Sequence, residues 1–231
     1  MHINSSLYNA EIIHEPWPYT VIDDFFTKDT WEKLSQISKY ILSDTPNEYL
    51  KNCIQKGKET TVGGKVFNIW ELIQSGVPED IVECYWDACE EILENRERIY
   101  SQFPYHKPDA DSLMKPCLNL DFEGNWYEPH PDSDTKVISL ICYLDPEESE
   151  GTALHTDETH DSMVGRLDWK PNRCMVFCPS EHTWHSFRCQ SKHRLVLAMF
   201  VERYIFNRPK RIRDRHTFSN GKVAEFWYDN G

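Results

Sequence analysis

A chain of 231 residues with 39% hydrophobic and 27% charged side chains fits one large domain with a packed core, and is too apolar for disorder. The formal net charge of -13, from 25 basic and 38 acidic side chains, argues against nucleic acid as the main partner, because phosphate neutralisation needs clustered cations. The N-terminus lacks a basic stretch followed by an apolar one, and no apolar run is long enough to span a bilayer, so a soluble, cytoplasmic protein is expected.

Along the chain, Tyr19–Phe25 reads as a strand. Asp29 and Glu32 form a helix-start signal, and Trp31, Leu34, Ile37 and Ile41 follow at helical spacing, which predicts a helix from Lys28 to Leu42. Residues 43–62 are polar, contain Pro46 and Gly57, and read as a loop. Pro78 suits the first turn of a second helix, whose buried stripe is Ile81, Tyr85, Ala88, Ile92 and Ile99. After Pro104 short apolar runs recur between turn signals, at Cys117–Phe122, Lys136–Leu144, Cys174–Cys178 and Arg194–Val201. This pattern predicts an α+β, mainly β protein, a sandwich or barrel with N-terminal helices packed on one sheet. A single domain 1–231 is expected, with a strand-helix support layer over about 1–105, a β core over about 106–205 and a C-terminal extension at 206–231.

Eight cysteines occur without a C-x-x-C, several of them in apolar runs, and they read as small buried side chains in a reducing compartment. Near the C-terminus, the basic run Arg208-Pro209-Lys210-Arg211-Ile212-Arg213-Asp214-Arg215 reads as a solvated surface segment.

Chemistry concentrates in the second half. His130-Pro131-Asp132 precedes the run 136–144, and residues i and i+2 of a strand point to one side, so both can reach one metal ion. A second such triplet, His155-Thr156-Asp157, lies in a polar stretch and is assigned to the pocket lining or its mouth. The third ligand is His185, which enters a strand beside Trp184 and Phe187, in preference to His182 in the preceding loop. Two imidazoles and one carboxylate on one face leave open positions and suit mononuclear non-haem Fe(II). Arg194 shares a strand face with Val196, Ala198 and Phe200, and an inward arginine needs a buried anion, which the carboxylate of a bound dicarboxylate can supply. Tyr143 shares a face with Val137, Ser139 and Ile141, and its hydroxyl is a second donor for that carboxylate.

These residues resemble the Fe(II)/2-oxoglutarate-dependent oxygenases, and among them the prolyl-4-hydroxylase-like group. Pro16-Trp17-Pro18-Tyr19-Thr20-Val21-Ile22-Asp23-Asp24-Phe25, followed by a helix, is similar to that group's N-terminal entry. His130-x-Asp132 matches its iron motif, Tyr143-Leu144-Asp145 its tyrosine-bearing strand end, and Gly151-Thr152-Ala153-Leu154 its glycine-threonine turn. Trp184-His185-Ser186-Phe187, with Arg194 farther on, matches the distal histidine and the cosubstrate anchor. Where many members carry a tyrosine, Leu120 stands here; Asn119 is the polar side chain that can serve instead, unless the correspondence shifts by one residue.

The resemblance implies a double-stranded β-helix (jelly-roll) core, with Fe(II) held by His130, Asp132 and His185. It implies 2-oxoglutarate reaching Arg194 with Tyr143 and Asn119 assisting, O₂ as oxidant and ascorbate in support. The implied activity is a dioxygenase hydroxylating an unactivated C–H bond, of a peptidyl prolyl or other amino-acid residue, with release of succinate and CO₂. Related halogenases replace the carboxylate ligand, which Asp132 retains here. Two alternatives share the fold: a cupin-like metalloenzyme that does not use 2-oxoglutarate, and a non-catalytic binding module. A peptide or small molecule is the expected substrate, and 43–62 and 155–168 are the expected covering segments.

Overall fold

The computed structural model of the chain describes residues 1–104, 112–203 and 211–229. Strand β1 (Tyr19–Ile22) leads into α1 (Lys28–Leu34) and α2 (Ile37–Ile41), followed by α3 (Glu48–Glu59), β2 (Lys65–Phe67), α4 (Ile69–Gln74), α5 (Glu79–Glu94) and α6 (Arg96–Tyr100). The β-rich half comprises β3 (Ser112–Phe122), β4 (Trp126–His130), β5 (Lys136–Asp145), β6 (Glu150–His155), β7 (Met163–Asp168), β8 (Cys174–Phe177), β9 (His185–Arg188) and β10 (His193–Arg203). A hairpin of β11 (Arg211–Thr217) and β12 (Val223–Asp229) ends it.

Three expected elements differ; one is the second helix, expected to run with its stripe through Ile99 to about Gln102, which is divided at Asn95 into α5 and α6. The helix predicted over 28–42 is broken into α1 and α2, because the Gln36 side-chain amide donates to the Glu32 carbonyl at 2.9 Å while the Gln36 backbone N–H turns to Lys33. A side chain has taken the carbonyl that the ladder needed. The polar segment 43–62 holds α3 instead of a loop. Asn47 caps it by accepting from the Leu50 N–H at 2.8 Å, and Leu50, Cys53 and Gly57 form its buried stripe. Three small or medium residues on one face bury it, too narrow a stripe to stand out among charged neighbours.

The strands form two sheets. The larger has the order β1-β8-β5-β10-β3-β12-β11, with β2 also on β3; the smaller has the order β4-β9-β6-β7. Strand alternation divides the faces of the large sheet. Leu195, Leu197, Met199 and Val201 of β10, with Leu118 and Leu120 of β3, pack into one core with the helices. A smaller cluster of Trp17, Tyr19, Leu154, Met175 and Phe177 joins β1 and β8 of the large sheet to β6 of the small one. Tyr85 of α5 fixes the helix layer to the sheet, its buried hydroxyl lying 3.1 Å from the carbonyls of both Cys117 and Ala198.

The eight cysteines are buried thiols, none in a disulfide. Of the basic run, Arg208, Pro209 and Lys210 lie outside the described residues, and the remainder belongs to β11, where Arg213 pairs with Glu225 at 2.7 Å. The C-terminal segment joins the large sheet through a parallel pairing of β12 with β3. Among the described residues, no helix is long and apolar enough to cross a membrane.

Candidate metal centre

β4 and β9 run antiparallel, and their register sets His130 directly opposite His185, with ring centroids 4.6 Å apart. Asp132 follows β4 by two residues. The potential ligand atoms of the three side chains all lie within 4.8 Å of one another, which makes them the metal-capable cluster among the described residues. The His130-x-Asp132 triplet is thus at the site. His155 is elsewhere: buried, it holds the Ser186 hydroxyl at Nε2 at 2.8 Å.

Both imidazoles are oriented from behind. His130 Nδ1 lies 2.8 Å from the Glu128 carbonyl, and His185 Nδ1 lies 2.9 Å from the Thr183 carbonyl. A carbonyl can only accept, so each ring carries a proton on Nδ1, which leaves Nε2 as the nitrogen that can face a metal ion. Burial pushes the pKa of His185 down to about 4, with Asp132 pulling it up and His130 opposing, so the ring is a neutral donor at pH 7.

Asp132 is held through both oxygens, by Lys136 Nζ on Oδ1 at 2.5 Å and Ser139 Oγ on Oδ2 at 2.6 Å. Burial raises its pKa, but Lys136 and His185, with the two hydrogen bonds, more than offset it and leave the carboxyl well below the usual range. An ionised carboxylate beside two imidazoles, each anchored at Nδ1, is a donor set that fits a divalent first-row ion. Trp17 and Phe177 pack against the His185 ring, at centroid distances of 6.4 and 5.2 Å.

The centre opens on a cavity of about 920 Å³. Arg194, Val196, Ala198 and Phe200 all line it, as their shared strand face requires. Asn119 lines it as well. The face of β5 divides differently: Ile141 lines the cavity and Ser139 reaches Asp132, but Val137 turns to the helix-side core, next to an irregularity in the β5–β10 register. Tyr143 is fully buried behind the wall, stacked on Trp169 at 4.4 Å. Its hydroxyl donates to Thr152 Oγ1 at 3.0 Å and accepts from the Thr152 N–H at 2.8 Å; Thr152 lines the cavity and Tyr143 does not. The four residues 151–154 lie within β6 and not in a turn. A Cβ on Gly151 would stand 1.8 Å from the Leu167 carbonyl, so the close approach of β7 requires glycine there.

Arg194 has its anion within the chain. Asp121, opposite it in the β3–β10 register, accepts from Arg194 Nη1 at 3.0 Å, and the two side chains are 2% and 3% exposed. The need for a buried anion, expected to fall on a ligand, is met by this carboxylate. Leu120 faces the helix-side core, so Asp121 and Asn119 are the inward positions of β3. Phe187 lies under the guanidinium at 4.3 Å.

Neither 43–62 nor 155–168 lines the cavity. Its outer wall comes from Lys65, Val66, Asn68, Trp70 and Glu71 of the β2–α4 segment, with Asp214 from β11. Lys136, Ser139 and Asp121 carry no motif, although Ser139 shares a strand face with Ile141, and Thr152 stands within the glycine-threonine stretch Gly151–Leu154.

The sequence matches no protein-family model and no curated protein. The structure is similar to solved prolyl hydroxylases. A prolyl-4-hydroxylase of Pseudomonas putida is 15% identical, with a TM-score of 0.54 over 81% of this chain and 93% of that one. A prolyl hydroxylase of Trichoplax adhaerens, solved in complex with a hypoxia inducible factor oxygen degradation domain peptide fragment, is also 15% identical, with a TM-score of 0.52 over 80% and 83% of the two chains. At this identity the likeness is one of fold, and the fold is the one carried by the group that the motifs resemble.

Proposed function

We propose that the chain is an Fe(II)- and 2-oxoglutarate-dependent hydroxylase built on a jelly-roll core, acting on a peptidyl residue. The observation that carries the reading is the convergence in one cavity of two Nδ1-anchored histidines, an ionised aspartate and an inward arginine. His130, Asp132 and His185 would hold the metal. Fe(II) held there supplies open positions for O₂ and for the 2-oxo acid, so that a C–H bond, 2-oxoglutarate and O₂ give a C–OH group, succinate and CO₂.

The protein's own work is placement. Lys136 and Ser139 keep Asp132 charged and fixed. The carbonyls of Glu128 and Thr183 fix the ring tautomers. Trp17 and Phe177 keep water from the flank of His185. Arg194 lines the cavity as the cation for the far carboxylate of the cosubstrate, with Asn119 and Thr152 on the same wall. A volume of about 920 Å³ lies near the upper end for small-molecule sites and leaves room for part of a substrate beside the cosubstrate. The peptide bound by the Trichoplax relative supports a peptidyl substrate.

The Asp121–Arg194 pair is the one observation that favours the second reading, a metalloenzyme of the same fold that does not use 2-oxoglutarate. The two are separated by supplying the iron-loaded protein with 2-oxoglutarate, air and a peptide library. The proposed function predicts succinate in step with oxygenated peptide, both lost in Asp132→Ala. Oxygenation without consumption of 2-oxoglutarate overturns it in favour of the second reading.

A further inference from the structure

Arg194 stands between an acid and a cavity. On one side Asp121 accepts from Nη1 and the Glu150 carbonyl accepts from Nε at 3.4 Å, while Phe187, under the guanidinium plane, shares the cavity wall. On the other side Arg194 belongs to the cavity wall and Asp121 does not. Asp121 is therefore a buried counter-ion placed behind the guanidinium. It is itself fixed by its strand, since a Cβ on Gly64 would stand 2.0 Å from the Leu120 carbonyl and 2.8 Å from Asp121 Cα, so the chain just before β2 closes tightly over that end of β3.

A guanidinium carries five N–H donors but one charge. Asp121 leaves donors for a ligand carboxylate while sharing the charge, and the incoming carboxylate also meets the field of Asp121 in a buried setting. Resting on the clamp role of Arg194 given above, we propose that Asp121 is a specificity-setting residue for the cosubstrate. By holding Arg194 from behind, it discounts the affinity for a distal carboxylate, so the site separates 2-oxoglutarate from a 2-oxo acid of the same chain length without that carboxylate far less than a bare guanidinium does. The residue acts through Arg194 and is a positioning residue, not a reacting group.

The test is calorimetric titration of the Mn(II)-loaded full chain with 2-oxoglutarate and with 2-oxopentanoate, which lacks the distal carboxylate. In the native protein 2-oxoglutarate is expected to bind no more than about tenfold tighter, whereas a fully available charged hydrogen-bonding pair supports roughly a hundredfold. Asp121→Asn is expected to widen the ratio by about tenfold or more, and to make 2-oxoglutarate raise the melting temperature further than in the native protein, because the ligand restores the missing anion. Arg194→Leu is expected to bring the ratio to about one. An unchanged ratio in Asp121→Asn, with collapse in Arg194→Leu, overturns the inference and leaves the clamp standing. An unchanged ratio in Arg194→Leu overturns the clamp itself. Should Asp121→Asn fail to fold, the native ratio decides, and a value of about a hundredfold or above overturns the inference.

Discussion

His185 is the residue on which the candidate centre turns, because burial and the proposed coordination demand the same thing of it. Its ring sits against Trp17 and Phe177, gives Nδ1 to a carbonyl, and is pushed from 6.5 to about 4 chiefly by burial. Between those two values the unfolded chain binds the proton and the folded chain does not, so stability rises with pH across that window and is lost as pH falls through it. In metal-free protein, urea unfolding at about pH 5 and about pH 7 is expected to differ by on the order of 2 kcal/mol from this group, with the lower stability at the acid value. His185→Gln should reduce that difference, and an unreduced difference would mean that His185 is not the group responsible. The candidate ligands were legible from the close spacing of His130 and Asp132 and the aromatic setting of His185, although Asp132 falls two residues beyond the end of β4 and not on the strand that the spacing assumed. Asp121 was not, because its significance lies in a register pairing with Arg194, 73 positions away.

At the scale of elements, β3 and β10 do two jobs through their two faces. The odd-numbered residues Leu195 to Val201 of β10 bury into the helix layer, while Arg194, Val196, Ala198 and Phe200 line the cavity. Holding the helix layer in place therefore holds the cavity wall, and Tyr85 is a direct tie between them. Tyr85→Phe removes a buried donor from the Cys117 and Ala198 carbonyls and should cost about 1–3 kcal/mol in denaturant unfolding. A loss below a few tenths would show that this tie contributes nothing to the join. The four strands with apolar runs, the strand at Tyr19 and the stripe of α5 could be read from sequence, because burial on one or both faces writes a period into the residues. Helix α3 could not, because its buried stripe is only Leu50, Cys53 and Gly57. Strands β6 and β7 were also hidden: β7 is half-exposed and short, and β6 opens with Glu-Gly-Thr, a turn-like composition held in a strand by the tight approach of Leu167 to Gly151.

For the whole molecule, the arrangement of the two sheets turns scattered residues into one site. The small sheet supplies His130 and His185, the large sheet supplies Arg194, Asn119 and Lys136, and the β2–α4 segment closes the outer wall. That outer wall replaces the covering loops expected at 43–62 and 155–168, and it presents the half-exposed Trp70 and Val66 beside the charged pair Lys65–Glu71. The central claim is that the cavity holds iron and 2-oxoglutarate together. Anaerobic titration of the iron(II)-loaded protein with 2-oxoglutarate tests it most directly, by the weak visible charge-transfer band of the chelate. A saturable band in the native protein that is absent in His185→Ala is the predicted result. Iron bound at the centre with no band at any concentration of 2-oxoglutarate would contradict it.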